Sequence, residues 1–341
     1  MLIAILLSGE HPSIPYSEVN AILKGEEILF NEINRFDQLM IINGGKEIFE
    51  ILEKRGAYII EGGRLIVHIS NVSDFINQCN KIDWSFLEEK SFGVRVKRIK
   101  DYWKEASSIE IERKLGEIIK KHTNAKVNLE NPEIWIRGII TNGGIFIYEC
   151  NFMTNRKKFV ERRPRKRAFF HPGALDAKLS RAFVNLCRIK RGERFLDPFC
   201  GTGGFLIEAE LMGLEAYGSD LDLKMIKGAY KNLRYYGLEA NLILADARKL
   251  PINKVDGIST DPPYGRGTST KGRSIKEIIS NFLEEVKGIL RKNRFMCIAS
   301  PKEIKIEEEA IKKGYKVHEI HIMKVHKSLT RSIIVVENYE Y

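Results

Sequence analysis

Residues 260–265 read TDPPYG, a segment whose residue types could position an aromatic amine. Two consecutive prolines remove backbone donors and fix φ, so the carbonyl groups beside them are held without a local N–H partner. Asp261 and the carbonyl of Pro262 could together accept both hydrogens of an amine, which directs the nitrogen lone pair at an electrophile. Tyr264 offers a ring on which a base can stack, a contact worth about 1 to 3 kcal/mol. The segment predicts nucleophilic chemistry at the exocyclic amine of a base, and the alternative is a rigid turn.

A glycine-rich loop, DPFCGTGGF at residues 197–205, is the second motif. Gly201 and Gly203, with Thr202 between them, let the backbone turn tightly and approach a ligand. A dinucleotide fingerprint would need Gly or Ala where Leu206 stands, and a P-loop would need lysine followed by Ser or Thr. An acid before the loop suits an adenosyl ligand with a cationic sulfonium better than a pyrophosphate. The alternative is a tight turn that binds nothing.

Acidic residues close three of the predicted strands: RFLD ends in Asp197, EAYGSD in Asp220 and NLILAD in Asp246. In an open α/β sheet, ligands bind beyond the carboxyl ends of the strands, so these carboxylates should line one edge. We expect Asp197, with the backbone at Gly201 and Gly203, to hold the cationic sulfonium portion of such a ligand. Asp220 can accept both hydroxyls of a ribose. Asp246 can accept an adenine amine, or it can simply cap the next turn.

The elements that must position these residues begin near residue 195. Strand segments such as RFLD, EAYGSD and RFMCIAS alternate with helical segments such as FLIEAELM and LKMIKGAYKNLRYY. Such alternation predicts a parallel, doubly wound sheet with helices on both faces. The last two strands, YKVHEIHIMKV and RSIIVVENY, follow each other without a helix between them. They predict an antiparallel hairpin at one end of the sheet.

The first 150 residues show a different, α+β pattern. A strand is predicted near the start, followed by a helix beginning near Ser17. Residues 107–123 predict an amphipathic helix that Ser107 or Ser108 can cap. Its buried face should carry Ile111, Leu115, Ile118 and Ile119. Two later strands meet at residues 142–144, Asn-Gly-Gly, which supplies the positive φ of a tight hairpin.

The charge of the chain is unevenly distributed. Its 56 Lys and Arg against 45 Asp and Glu leave a net charge of +11. Residues 156–167, RKKFVERRPRKR, hold eight basic residues and one acidic residue. A polyanion is the expected partner, because neutralised phosphates release counterions and arginines donate in bidentate pairs; a solvated linker is the alternative. The predicted phosphate contacts are Arg162, Arg163, Arg165 and Arg167, together with Lys97 and Arg98 on the strand FGVRVKRI.

Composition excludes several classes of protein. With 43% apolar and 30% charged residues, the chain has the apolar content of a folded globular protein. Five cysteines without CxxC spacing argue against a disulfide framework and a zinc site, and the histidines predict no metal. The longest apolar stretch near the start is far shorter than the roughly 20 residues of a membrane span. We expect a cytoplasmic protein.

Together these motifs carry a family resemblance. DPFCGTGGFLIEA with TDPPYG resembles the S-adenosylmethionine-dependent, Rossmann-fold amino-methyltransferases, and RRPRKRAFFHPGALDAKLSRAFVNL resembles their tRNA guanine-N2 branch. FGVRVKRI, the SSIEIERKLG helix and VNLENPEIWIRG resemble the THUMP domain, a module that grips the 3′ end of tRNA. The chain is most similar to the archaeal tRNA guanine-10 N2-methyltransferases, whose motif also has Asp before the prolines.

The resemblance implies a Rossmann-like methyltransferase sheet preceded by an α+β, ferredoxin-like and THUMP region. The expected domains are a ferredoxin-like segment at 1–45, a THUMP domain at 46–150, a basic linker at 151–170 and a methyltransferase domain at 171–341. S-adenosylmethionine is the expected methyl donor and tRNA the substrate, methylated once or twice. A monomer without a protein partner is expected.

Three alternatives stay open at this point. The same chemistry could act on another guanine, such as guanine 6 of tRNA or a guanine of ribosomal RNA, because nothing in the DPPY motif encodes the position. A non-catalytic RNA-binding protein could keep the fold and lose the transfer, although the intact motifs argue against it. DNA adenine methylation would leave the THUMP-like half without a task.

Overall fold

A computed structural model describes residues 1–105, 107–263, 275–326 and 329–339. These residues form two compact units. Unit 1 comprises Met1–Pro12, Leu29–Lys54 and Ile59–Asn155, and unit 2 comprises Ser13–Ile28, Arg55–Tyr58 and Arg156–Tyr341. Within the described ranges, we find no helix with the length and apolar character needed to cross a membrane.

The strands are numbered in chain order across both units. They are β1 (Leu2–Leu7), β2 (Phe30–Phe36), β3 (Leu39–Gly44), β4 (Ile59–Ile69), β5 (Ser91–Arg98), β6 (Lys126–Val127), β7 (Ile134–Thr141), β8 (Gly144–Met153), β9 (Arg194–Asp197), β10 (Glu215–Asp220), β11 (Asn241–Leu244), β12 (Val255–Thr260), β13 (Leu290–Pro301), β14 (Lys316–His326) and β15 (Leu329–Glu337).

The α-helices follow the same numbering. They are α1 (Ile14–Gly25), α2 (Glu47–Arg55), α3 (Phe75–Asn80), α4 (Ser108–His122), α5 (Lys157–Glu161), α6 (Ala177–Leu186), α7 (Gly204–Glu210), α8 (Leu223–Tyr235), α9 (Ile275–Ile289) and α10 (Ile306–Lys312). The sequence predicted most of these elements to within a few residues, whereas the short strand β6 and the helices α5 and α6 were missed.

Unit 1 contains one eight-stranded sheet with the order β2-β3-β1-β4-β8-β7-β5-β6. Strand β1 pairs antiparallel with both β3 and β4. Its Ala4 and Leu6 share a core with Ile139 and Phe146 of the β7–β8 hairpin. The boundary expected at residue 45 therefore falls inside a continuous sheet, because the first strand hydrogen-bonds to the region that follows the boundary.

Helix α4 of unit 1 has the predicted cap and buried face. The side chain of Ser107 accepts a hydrogen bond from the backbone N–H of Glu110, which satisfies one donor of the first turn. The helix buries the apolar stripe that the periodicity predicted. Its buried residues are Ile111, Leu115, Ile118 and Ile119.

Unit 2 contains a seven-stranded sheet with the order β11-β10-β9-β12-β13-β15-β14. The five strands from β11 to β13 pair in parallel. Strand β15 pairs antiparallel with β13 on one side and β14 on the other. The predicted parallel sheet with an antiparallel terminal hairpin is confirmed.

Helix α1 belongs to unit 2, and a buried polar network connects it to α6. Glu18 on α1 is fully buried and accepts hydrogen bonds from the backbone of Ala57 (3.0 Å) and Tyr58 (2.7 Å). Asn185 on α6 donates to Glu18 at 2.8 Å and accepts from the guanidinium of Arg55. Burial raises the pKa of Glu18. The network joins all three stretches of chain that make up unit 2.

Candidate active site

The carboxyl ends of β9, β10 and β12 meet at one edge of the unit 2 sheet. A cavity opens there. Its lining includes Asp197, Gly201, Thr202, Gly204, Phe205 and Asp261. The structure therefore brings together one strand-end acid, the glycine-rich loop and the acid of the DPPY motif, which the sequence placed at a common edge.

The glycine-rich loop turns through two left-handed residues, Gly201 (φ 50°) and Gly203 (φ 80°). A side chain would be strained at both positions. The backbone N–H of Gly201 donates to Oδ2 of Asp220 at 2.9 Å, and the N–H of Gly203 donates to the carbonyl of Cys200 at 2.8 Å. Gly203 is also the N-cap of α7. The loop is thus held in shape by its own backbone and by the neighbouring strand end.

Asp197 is almost completely buried, with 1% of its surface exposed. Its Oδ1 accepts hydrogen bonds from the backbone N–H of Phe199 (3.2 Å) and the hydroxyl of Thr260 (3.0 Å). Its Oδ2 has no hydrogen-bond partner among the described residues. An unpaired buried carboxylate oxygen is costly, and a cationic ligand in the cavity would satisfy it. This observation fits the expected S-adenosylmethionine, which is cationic.

The buried position of Asp197 predicts a pH dependence of ligand binding. Burial raises the pKa of Asp197 to about 8, so the carboxyl is protonated at neutral pH. A cationic ligand needs the ionised form, so the affinity for S-adenosylmethionine should rise about tenfold per pH unit below pH 8 and level off above it. Calorimetry from pH 6 to pH 9 measures this change.

The Asp197→Asn variant is the matched control for that titration. It keeps the size of the side chain and removes the ionisation, so any remaining pH dependence belongs to the ligand. Calorimetry in two buffers of different ionisation enthalpy counts the proton that binding releases. Equal pH profiles for the wild-type chain and the variant would contradict the assignment of Asp197 to the cation.

The other two strand-end acids have local partners. Asp220 is half-buried and accepts from the backbone N–H groups of Gly201 and Asp222, both at 2.9 Å. Burial raises the pKa of Asp220. Asp246 accepts from the backbone N–H of Arg248 at 3.0 Å and forms a bidentate pair with its guanidinium. Asp246 therefore caps the turn after β11, as the alternative interpretation had it, and its contact with adenine stays a prediction.

Asp261 follows β12, and Pro262 beside it is buried. The carboxylate of Asp261 forms an ion pair with Nη2 of Arg331 at 3.1 Å, and both side chains are largely buried. Arg331 lies on β15 and was missed in the sequence, because only the pairing of β15 with β13 brings it to this edge. Tyr264 lies outside the described residues. The ion pair restrains the Asp261 carboxylate, and its contact with a base amine stays a prediction.

Two arginines of the basic segment are buried, contrary to prediction. Arg162 is 8% exposed and forms a bidentate pair with Glu208 on α7, at 2.7 and 2.9 Å. Arg167 is 6% exposed and donates to the carbonyl of Arg162. The burial of both side chains argues against phosphate contacts by Arg162 and Arg167, since the guanidinium of Arg162 is paired with a buried carboxylate and that of Arg167 is turned into the protein. The range 156–170 belongs to unit 2 rather than to a linker.

The other predicted phosphate ligands have mixed environments. Arg163 and Arg165 are exposed, and Arg163 lies 4.0 Å from Asp176. Lys97 on β5 is exposed as well. Arg98 is half-buried and donates to the carbonyl groups of Tyr102 and Trp103, so it holds the loop after β5. Phosphate contacts by Lys97, Arg163 and Arg165 stay predictions.

Comparison with known proteins identifies a known domain in each part of the chain. Residues 70–148 match the THUMP domain, and residues 164–333 match the RMKL-like methyltransferase domain. The tRNA (guanine(10)-N2)-dimethyltransferase of Methanothermobacter thermautotrophicus is 38% identical over 339 residues, which are 99% of each chain. The chain belongs to this family of archaeal methyltransferases.

Two further proteins place this methyltransferase among its relatives. The tRNA (guanine(6)-N2)-methyltransferase of Methanocaldococcus jannaschii is 27% identical over 86% of the present chain and 92% of its own. The crystal structure of TrmN from Thermus thermophilus, 21% identical, superposes with a TM-score of 0.55 and covers 99% of both chains. The likeness to TrmN confirms the predicted fold. The family confirms an enzyme that uses S-adenosylmethionine, and not a non-catalytic RNA-binding protein.

Proposed function

We propose that this methyltransferase transfers methyl groups from S-adenosylmethionine to the N2 amine of guanine 10 in tRNA, once or twice. The observation that carries the proposal is that Asp261 lines the same cavity as Asp197 and the glycine-rich loop. Position 10 is favoured over position 6 because the relative that acts on guanine 10 is more similar and covers more of the chain.

One group of cavity residues would bind the methyl donor. Bound S-adenosylmethionine supplies an electrophilic methyl group on a sulfonium. Asp197 would hold the cationic portion of the donor, the backbone at Gly201 and Gly203 would approach it closely, and Thr202 lines the same cavity.

The acceptor residues would act on the base. Asp261 and the carbonyl of Pro262 would accept hydrogens of the guanine N2 amine, and Tyr264 would stack on the ring. The amine nitrogen would form a bond to the methyl carbon while the bond between that carbon and the sulfonium sulfur breaks, which leaves S-adenosylhomocysteine. The proton released from the amine would pass to the Asp261 carboxylate or to water. Orientation supplies most of the acceleration. Since the N2 amine lies in the minor groove of a stem, the base must be extruded, at a cost of a few kcal/mol.

Unit 1 would bind the RNA while the base is extruded from its stem. It contains the region matched by the THUMP domain. Lys97 is exposed on the β5 strand of that region and can contact a phosphate. We propose RNA binding for unit 1 and methyl transfer for unit 2. We also propose a monomer acting in the cytoplasm without a protein partner, which sedimentation of the purified chain with and without tRNA tests.

The decisive test is methylation of unmodified tRNA transcripts, followed by digestion and mass spectrometry of the nucleosides. We expect N2-methylguanosine or N2,N2-dimethylguanosine at position 10, and no product on a matched transcript with adenine at position 10. A product at guanine 6 or on ribosomal RNA would support the proposed reaction and contradict the proposed position. Absence of methylation on every RNA, despite binding of S-adenosylmethionine, would overturn the proposal.

A further inference from the structure

Helix α8 of unit 2 presents a basic face to solvent. Its exposed positions include Lys224, Lys227, Lys231 and Arg234, and the helix contains no acidic residue. At about 100° per residue these positions share one side of the helix. Arg234 pairs with Glu239 at 3.0 Å. The described part of the chain offers no carboxylate that pairs with any of the three lysines.

The three lysines border an open groove. Its lining residues are Phe169, Leu223, Lys224, Lys227, Gly228 and Lys231. The exposed ring of Tyr230 lies on the same helix. Positive charges interleaved with an aromatic ring are typical of surfaces that bind nucleic acid.

The basic segment before Phe169 is attached to this helix. Asn232 on α8 accepts from the backbone N–H of Phe169 at 2.7 Å and donates to its carbonyl at 2.9 Å. The Phe169 ring lies against Gly228, where a Cβ would come within 2.3 Å of it. Lys166 lies three residues before Phe169, so its Cα is within about 11 Å of this anchor. Arg165 and Lys166 are exposed, and they extend the basic surface of the helix.

We propose that this α8 face, defined as Lys224, Lys227 and Lys231 with Arg165 and Lys166, binds the phosphate backbone of the RNA substrate. The inference rests on the proposed function, because it takes tRNA to be that substrate. Charge complementarity favours a polyanion as the ligand, since the described residues offer no paired acid to any of these five exposed cations. The helix begins at Leu223, three residues after Asp220 on the loop side of the sheet, so RNA bound along it would pass near the cavity.

Binding of tRNA by the variant Lys224→Gln/Lys227→Gln/Lys231→Gln tests the proposal. The matched control removes three exposed lysines near the starts of β12, β13 and β14, at the opposite edge of the same sheet: Lys254→Gln/Lys292→Gln/Lys316→Gln. The Kd for a tRNA transcript is measured by fluorescence anisotropy between about 0.05 and 0.5 M KCl, a range that includes physiological ionic strength. Each lost phosphate contact should reduce the slope of log K against log salt by about 0.7 to 0.9.

We expect the α8 variant to lose about two units of slope and to raise the Kd about 10²-fold at 0.1 M salt, with the control unchanged. Titration with S-adenosylhomocysteine checks that both variants are folded. Each single Lys→Gln variant repeats the test with less perturbation and should show about a third of the change in slope. An α8 variant that binds tRNA like the control would overturn the inference. A wild-type chain that binds no tRNA would overturn the proposed function and this inference together, a result visible before any variant is compared.

Discussion

The Asp261→Ala variant is expected to reduce kcat for RNA methylation by about 10²- to 10⁴-fold, the range that a positioned acid or base contributes. The variant removes the side chain that would accept a hydrogen of the guanine amine. It also removes the ion pair between Asp261 and Arg331. Binding of S-adenosylhomocysteine and of tRNA should be close to wild type. Single-turnover kinetics with saturating tRNA measure the effect on the chemical step.

Two further variants separate the roles that the Asp261 carboxylate can play. Asp261→Asn keeps an acceptor oxygen and cannot take a proton, so activity near wild type would assign orientation rather than proton transfer. Arg331→Gln removes the ion pair and keeps the carboxylate; misplacement of a reacting group by an ångström can cost about 10²-fold, and we expect a loss of 10- to 100-fold. Normal turnover by Asp261→Ala with substrate bound would refute the assignment.

The Glu208→Gln variant is expected to lower the free energy of unfolding of unit 2 by about 3 to 5 kcal/mol, the usual cost of breaking a buried ion pair. Glu208 is fully buried between two guanidinium groups, those of Arg162 and Arg181. Without its charge, these two buried guanidinium groups lose the carboxylate that they share. Urea unfolding followed by far-UV circular dichroism measures the loss.

The unfolding experiment on Glu208→Gln has a control variant at an exposed ion pair and a separate signal for unit 1. Glu239→Gln breaks the exposed pair with Arg234, which is worth about 0 to 1 kcal/mol. All three tryptophans, Trp84, Trp103 and Trp135, belong to unit 1, so their fluorescence reports on that unit alone. A Glu208→Gln variant as stable as Glu239→Gln would show that the buried pair is dispensable.

Much of the candidate site was predictable because its residues occupy positions with strong local signals. Glycines that turn a strand into a helix, and acids at strand ends, are recognised by spacing alone. The alternation of strands and helices then places them at one edge of a parallel sheet. The positive φ at Gly201 and Gly203 agrees with this interpretation, and so does the burial of Asp197.

The errors concern contacts between residues that are distant in the sequence. Arg162 looked like its exposed neighbours because its partner, Glu208, lies 46 residues away. One signal was available: Glu208 lies between Ile207 and Ala209 in a largely apolar helix, which suggests a buried carboxylate that needs a cation. No such local signal marks Arg331, since its pairing with Asp261 depends on the register of β15. Helix α6 was missed because polar residues at its buried positions, such as Asn185, hide its packing.

The division of unit 2 into three stretches of chain affects the order in which it can fold during synthesis. Glu18 and its partner Asn185 are 167 residues apart. At about 5 to 20 residues per second, the ribosome takes roughly 10 to 30 s to make the second after the first. During this interval the apolar face of α1, with Ile14, Val19 and Ile22, has no α6 to cover it. Unit 1 can complete its sheet once Asn155 has been synthesised. The methyltransferase unit can pack its first helix only after α6 has been made, so it completes its fold late in translation.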